Sequence, residues 1–126
     1  MEKIHKEILG LMGEIDIDCW DENDLIVVDL NGQLDIYNSN DIQTLVDAYM
    51  QRGYKKFAIN LEKVSYLDSS TISAFIHCHR VVEEASGTFM LAGLHGAPME
   101  VFEMAKLHDI FSIYPDLTAA LDSQSD

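Results

Sequence analysis

The stretch Lys55–Leu94, KKFAINLEKVSYLDSSTISAFIHCHRVVEEASGTFMLAGL, sets two short apolar runs on either side of a longer amphipathic one. KKFAINL at Lys55–Leu61 and TFMLAGL at Thr88–Leu94 have the length and punctuation of buried strands. Between them Ile72, Phe75, Ile76 and Val82 recur at helical spacing, which predicts a helix from about Ser70 to Ala85 with Gly87 as the break behind it. A strand, a helix of that length and a second strand make a crossover unit, so the strands run parallel and the helix packs on their sheet.

The alternation continues in both directions. NSNDIQTLVDAYMQRG places Ile42, Leu45, Val46 and Tyr49 at i, i+3, i+4 and i+7, with cap residues at Asn38–Asp41 and Gly53 as a left-handed stop. DLIVVDLNGQLD at Asp24–Asp35 is a β-branched strand closed by the turn dipeptide Asn31-Gly32, and IDIDCW at Ile15–Trp20 alternates before it. The polar DEND between these two runs predicts an antiparallel hairpin. Downstream, a helix opens at Pro98 and runs to about Lys106, IFSIY at Ile110–Tyr114 is a short strand, and a last helix enters at Pro115. The expected class is α/β: one domain with a mixed, mostly parallel sheet and about four helices packed on it. It spans residues 15–122, after an N-terminal extension at 1–14 and before a tail at 123–126. In the extension, Ile4, Ile8 and Leu11 stand at helical spacing, equally compatible with a short helix and with a frayed segment.

Composition narrows the function. The chain has 126 residues, 22 acidic against 8 basic, and a formal charge of −14. Such a surface repels nucleic-acid phosphates and anionic lipid headgroups over a Debye length of about 8 Å at physiological salt. A protein partner with a basic patch fits better than nucleic acid or a membrane. Cys19 and Cys78 are far apart and form no CxxC pair, so neither a disulfide framework nor a zinc site is expected. No stretch approaches the roughly 20 apolar residues of a membrane span, and the N-terminal residues lack a signal-peptide pattern. The expected location is the cytoplasm.

At the junction of the central strand and its helix stands Asp68-Ser69-Ser70-Thr71. An acidic residue followed by three hydroxyls there can cap the helix, stabilising it by about 1 kcal/mol. A hydroxyl at a helix N-terminus can also carry a phosphate in the favourable field of the helix dipole, while Asp68 beside it opposes with like charge. The two roles are compatible. Nucleophilic catalysis needs a base within reach of the serine and an orienting group behind it. The chain has no GxSxG elbow, and none of its five histidines has a spacing that marks such a base. No enzymatic activity, catalytic residue, metal or cofactor is expected.

With these motifs in order, the span from about Leu25 to Leu121 resembles the STAS domain, the sulfate transporter and anti-sigma factor antagonist family, in its stand-alone bacterial form. VVDLNGQLDIYN matches the family's strand, glycine turn and Leu-Asp lead into the first helix. VSYLDSST matches its phosphoserine segment, TFMLAGL the strand before the penultimate helix, and FSIYPDLTAAL its aromatic strand, proline and last helix. The resemblance implies an antagonist that binds an anti-sigma factor serine kinase and so frees a sigma factor for transcription. Ser69 matches the phosphoacceptor whose modification dissolves the complex, and a PP2C-type phosphatase resets the switch. Asp68 matches the acidic residue before the acceptor, and Gly32 and Asp35 match the Gly-x-Leu-Asp segment near the same end of the sheet. The implied partner surface is therefore Gly32, Asp35, Asp68, Ser69, Ser70 and Thr71. Two residues depart from the family pattern. Thr71 stands where glycine is usual, which leaves Ser70 or Thr71 as alternative acceptors and a non-phosphorylated scaffold or accessory subunit, of a signalling complex or a transporter, as the alternative function. Asn60 stands where aspartate is common.

The remaining candidates read as structure. His77 and His79 lie about 200° apart on a helix and cannot share an ion unaided. Cys78 is expected on the flank of the buried face with His79 near its middle, a core histidine with one nitrogen satisfied. Met90, Met99 and Met104 are expected to fill the core. LHGAPME at Leu94–Glu100 can offer backbone N–H groups to a phosphate, but a plain turn is the simpler reading.

Overall fold

The computed structural model describes residues 2–3 and 16–124. Six strands form one sheet in the order of the chain: β1 (Glu2–Lys3), β2 (Ile17–Glu22), β3 (Leu25–Leu34), β4 (Lys56–Leu67), β5 (Thr88–Ala92) and β6 (Ser112–Tyr114). Pairing is antiparallel from β1 to β3 and parallel from β3 to β6, the mixed, mostly parallel sheet expected. Helices α1 (Ser39–Gln51), α2 (Ser69–Glu84) and α3 (Gly96–Met104) make the three crossovers, and α4 (Leu117–Asp122) follows β6. The residues Ile4, Ile8 and Leu11, read as a short helix or a frayed segment, lie outside the described residues.

Crossovers that step in one direction along a sheet, all of one hand, lay their helices on one face. The core agrees. Ile42 of α1, Phe75 and Cys78 of α2, and Phe102 of α3 share one buried cluster with Ile26, Val28, Phe57, Ile59, Phe89 and Leu91. The alternate strand residues Val27, Ala58, Met90 and Ala92 face the other way, onto Ala120 of α4 and the partly buried Trp20. Because strand order never reverses, the sheet has no switch-point crevice of the kind in which doubly wound folds bind small ligands. What its C-terminal edge offers instead is an array of loops.

Several boundaries differ from the sequence reading. Asn31-Gly32 is not the end of a strand: β3 runs through it to Leu34, and its register with β4 shifts between Asp29 and Asn31 and again between Gly32 and Gln33. Gly32 takes φ +92°, with open space where a side chain would stand, so the backbone angle and not crowding calls for glycine. The hairpin turn itself falls within the DEND segment, as expected, at Asn23-Asp24, both left-handed. β4 is correspondingly longer than expected, reaching Leu67 by pairing with the extended β3. The strand expected at Ile110–Tyr114 shortens to Ser112–Tyr114 behind a 3-10 turn at Leu107–Asp109. Pro115 precedes α4 and does not open it; the cap is Asp116, whose carboxylate accepts the Ala119 N–H at 2.8 Å. Cys78 sits in the middle of the buried face of α2, together with Thr71, Ala74, Phe75 and Val82, while Ile72, Ile76 and His79 are only partly buried. Met90 is core and Met99 half-buried, whereas Met104 is 85% exposed.

Both cysteines are free thiols buried in the core. Burial pushes the Cys78 thiol up to about 12, with the charge of Asp47 adding to it. Burial raises Cys19 further still, helped by Asp18 and Asp29. The thiolate is the reactive form. Ellman's reagent at pH 8 is therefore expected to label neither cysteine in the folded protein and both in urea; labelling of Cys78 without unfolding would contradict this packing.

Candidate functional site

β3 and β4 end side by side, with Leu34 paired to Leu67. The next residue on each strand is an aspartate, Asp35 and Asp68, and each organises the loop that follows. Asp68 has extended φ and ψ and caps α2. Its Oδ1 accepts the backbone N–H groups of Ser70 at 3.0 Å and Thr71 at 3.2 Å, and the hydroxyls of Ser70 at 2.5 Å and Thr71 at 3.4 Å. The Ser70 hydroxyl holds the Asp68 carboxyl below its ordinary value, against a desolvation that pushes it up and with further help from the Thr71 and Ser70 backbone N–H groups and the Thr71 hydroxyl.

These bonds separate the three hydroxyls. Thr71 is fully buried against the core. Ser70 is half-buried; its Oγ donates to Asp68 and accepts from the Ser39 hydroxyl at 3.2 Å, which ties the N-terminus of α2 to that of α1. Ser69, the first residue of α2, is exposed, and among the described residues its hydroxyl has no hydrogen-bond partner. The link from Ser39 was missed in the sequence, because a serine at the start of α1 reads only as a local cap. Asn38, the formal cap of α1, does not cap with its side chain.

Asp35 builds the neighbouring loop. Its Oδ1 accepts the Tyr37 N–H at 2.9 Å, its carbonyl accepts the Ser39 N–H at 2.8 Å, and its own N–H donates to Asn38 Oδ1 at 2.9 Å. Asn38 Nδ2 closes the turn on the Gln33 carbonyl at 2.9 Å. Asp35 and Asp68 thus end adjacent strands, Ser69, Ser70 and Thr71 form the first turn of α2 beside them, and Gly32 lies lower on β3, where its carbonyl accepts from the Ser65 hydroxyl at 3.4 Å.

Asn60 has a structural reason to replace an acid. Its buried side chain donates to Asp29 Oδ1 at 3.2 Å and accepts the Glu62 N–H at 3.3 Å, so an aspartate there would face the Asp29 carboxylate. Of the two histidines on α2, His79 packs edge-on to Phe111 at 5.5 Å and meets Glu83 at 3.5 Å through Nε2, and among the described residues its buried Nδ1 has no hydrogen-bond partner. Among the described residues no group of three or more His, Cys, Asp or Glu is placed to hold a metal. Nor is any helix there long and apolar enough to cross a membrane.

Comparison with known proteins fits this geometry. The chain is 22% identical over 99 residues to the anti-sigma-B factor antagonist of Staphylococcus aureus, an alignment covering 79% of this chain and 92% of that protein. Its fold superposes on an anti-sigma factor antagonist from Mycobacterium paratuberculosis with a TM-score of 0.79 at 20% identity, covering 90% of this chain and 96% of the other. It superposes on the Bacillus cell fate determinant SpoIIAA in its phosphorylated form with a TM-score of 0.69 at 20% identity, covering 88% and 99%. The profile of the STAS domain matches residues 16–120, from the strand before the hairpin turn to the last helix, and the chain belongs to the STAS domain family.

Proposed function

We propose that this chain is an antagonist of an anti-sigma factor that is also a serine kinase, and that phosphorylation of Ser69 switches it off. The observation that carries the choice of residue is the division among the three hydroxyls. Ser70 and Thr71 are bonded to Asp68 and partly or wholly buried, while Ser69 is exposed and unbonded among the described residues. In the transfer, Ser69 Oγ attacks the γ-phosphorus of ATP, ADP leaves, and the hydroxyl proton passes to a base on the kinase. A PP2C-type phosphatase hydrolyses the ester and restores the hydroxyl. The names of the relatives support the antagonist role, and SpoIIAA, of the same fold, has been solved in a phosphorylated form.

The phosphate brings about −1.5 to −2 charges to a pole of the sheet that already holds Asp35 and Asp68. Taking a complex from 99:1 bound to 1:99 needs about 5.5 kcal/mol, so charge alone is a partial switch and the bulk of the phosphate must add to it. Ser69→Asp, with one charge and less bulk, is accordingly expected to weaken kinase binding only in part.

The test is site-mapped phosphopeptide mass spectrometry on protein isolated from its host in growth and in stress. The expected phosphate is on Ser69 and changes with condition. Phosphate on Ser70 or Thr71 instead would keep the switch and refute the residue. Complete absence in both states would favour the second reading, a non-phosphorylated STAS scaffold or accessory subunit, whose supporting observation is the buried Thr71 where the family's pattern has glycine.

A further inference from the structure

Among the described residues five large apolar side chains are left exposed, and three of them gather at the pole that carries Ser69: Ile36 at 70%, Tyr37 at 89% and Tyr66 at 47%. Scattered single apolar residues on a surface need no explanation, but a cluster beside a candidate site does. Ile36 and Tyr37 are consecutive, and the turn that displays them is over-determined. Five hydrogen bonds among Gln33, Asp35, Tyr37, Asn38 and Ser39 hold it, and all five run to backbone groups or to the side chains of Asp35 and Asn38. The Ile36 and Tyr37 side chains take no part in them. The turn is built to keep two apolar groups in water, and this fixed geometry removes an ordering cost from any association that covers them.

Location names what covers them. The loops at Asp35 and Asp68 leave adjacent paired strands, about 5 Å apart, and the Ser39–Ser70 bond ties them together just behind. A protein interface of ordinary size covers about 800 Å² on each partner, far more than the footprint of one serine. An enzyme that seats the Ser69 hydroxyl in its active site therefore covers Ile36 and Tyr37 in the same act.

We propose that Ile36 and Tyr37 are the apolar anchor by which the Ser69 kinase grips this chain, received in a hydrophobic hollow beside that kinase's phosphate-transfer site. The proposal rests on Ser69 as the acceptor and adds where the binding energy comes from. Ser69 and Asp68 set the chemistry and its reversal, while the anchor supplies binding energy that the phosphate on Ser69 has to overcome for release.

The experiment uses the full chain and the host-cell fraction that transfers labelled phosphate from ATP to it, purified on that activity, with Ser69→Ala as the blank. Truncating an interface anchor costs about 2 kcal/mol or more, which converts to about thirtyfold in affinity. The Ile36→Ala/Tyr37→Ala double variant is expected to raise KM about thirtyfold with kcat within about twofold, the signature of lost uniform binding. Tyr37→Phe is expected to behave as wild type, and so is Met104→Ala, the exposed apolar control distant from the two loops in the chain. Since neither anchor side chain supports the turn, urea midpoints of the variants should match wild type. A double variant with unchanged KM that is still labelled on Ser69 would overturn the anchor and leave the acceptor standing. A KM rise of equal size in Met104→Ala would also overturn it. Failure of every fraction to label Ser69 would remove both.

Discussion

Gly87→Ala is expected to cost about 3 kcal/mol or more of folding free energy, at or above the upper end of ordinary overpacking. A Cβ at Gly87 would lie 2.1 Å from the Lys55 carbonyl oxygen and 2.9 Å from Val82 Cγ1. The first contact is with backbone that cannot swing aside, because the same Lys55 carbonyl accepts the Thr88 N–H at 2.8 Å where β5 joins β4. Gly87 is itself held from behind, its N–H donating to the Val82 carbonyl at 2.9 Å. Relief therefore requires opening the start of the central parallel pair or lifting the end of α2 from the sheet. For a domain of this size such a loss corresponds to roughly 12 °C in Tm. Thermal and urea unfolding followed by circular dichroism measures it, and a loss under about 1 kcal/mol would mean the β4–β5 junction yields far more easily than its bonds imply.

Asp68→Ala is expected to have the second largest effect, in stability and in function together. The substitution removes the acceptor of two backbone N–H groups and two hydroxyls, one of them on the fully buried Thr71. Loss of a cap costs about 1 to 2 kcal/mol, and a buried hydroxyl left unpaired adds to it. Because the folded-state pKa of Asp68 is depressed, its contribution is fully present above the unfolded value near 3.8 and is lost as pH falls through the lower folded value. The difference in urea midpoint between wild type and Asp68→Ala should be constant from pH 7 to about 5 and shrink below about 3.8. A difference that persists undiminished at pH 2 would show that the carboxylate charge is not what holds the turn. In the same variant Ser70 loses its acceptor and keeps only the tie to Ser39, so stray phosphorylation of Ser70 should rise relative to Ser69.

Much of this arrangement is legible in the residues, and the failures share a cause. Periodicity finds α1 and α2 because each buries a continuous stripe, alternation finds β2, and a β-branched run finds β3, whose first four residues are buried on both faces of the sheet. Asn31-Gly32 misleads because its local chemistry is that of a turn, while the neighbouring strand β4 supplies partners that turn it into a bulge. Met104 misleads because nothing in an amphipathic pattern reveals where a short helix runs past the edge of the core. At the site, Asp68 and Ser69 follow from a strand meeting a helix. The distinction between Ser69 and Ser70 does not, since it depends on a bond to Ser39, which is 31 residues away in the chain.

A sheet laid down in chain order asks no strand to wait for one made much later. β3 finds β4 after a single crossover, and β4 finds β5 after the next, so each pairing closes a loop of moderate length and its entropic cost is met in instalments. During synthesis the loops at Asp35 and Asp68 can meet once α2 has emerged from the ribosome, before β6 and α4 exist. The paired loops are thus assembled by about the first two thirds of the chain, which end with α2 at Glu84, and the last third serves to keep them in place.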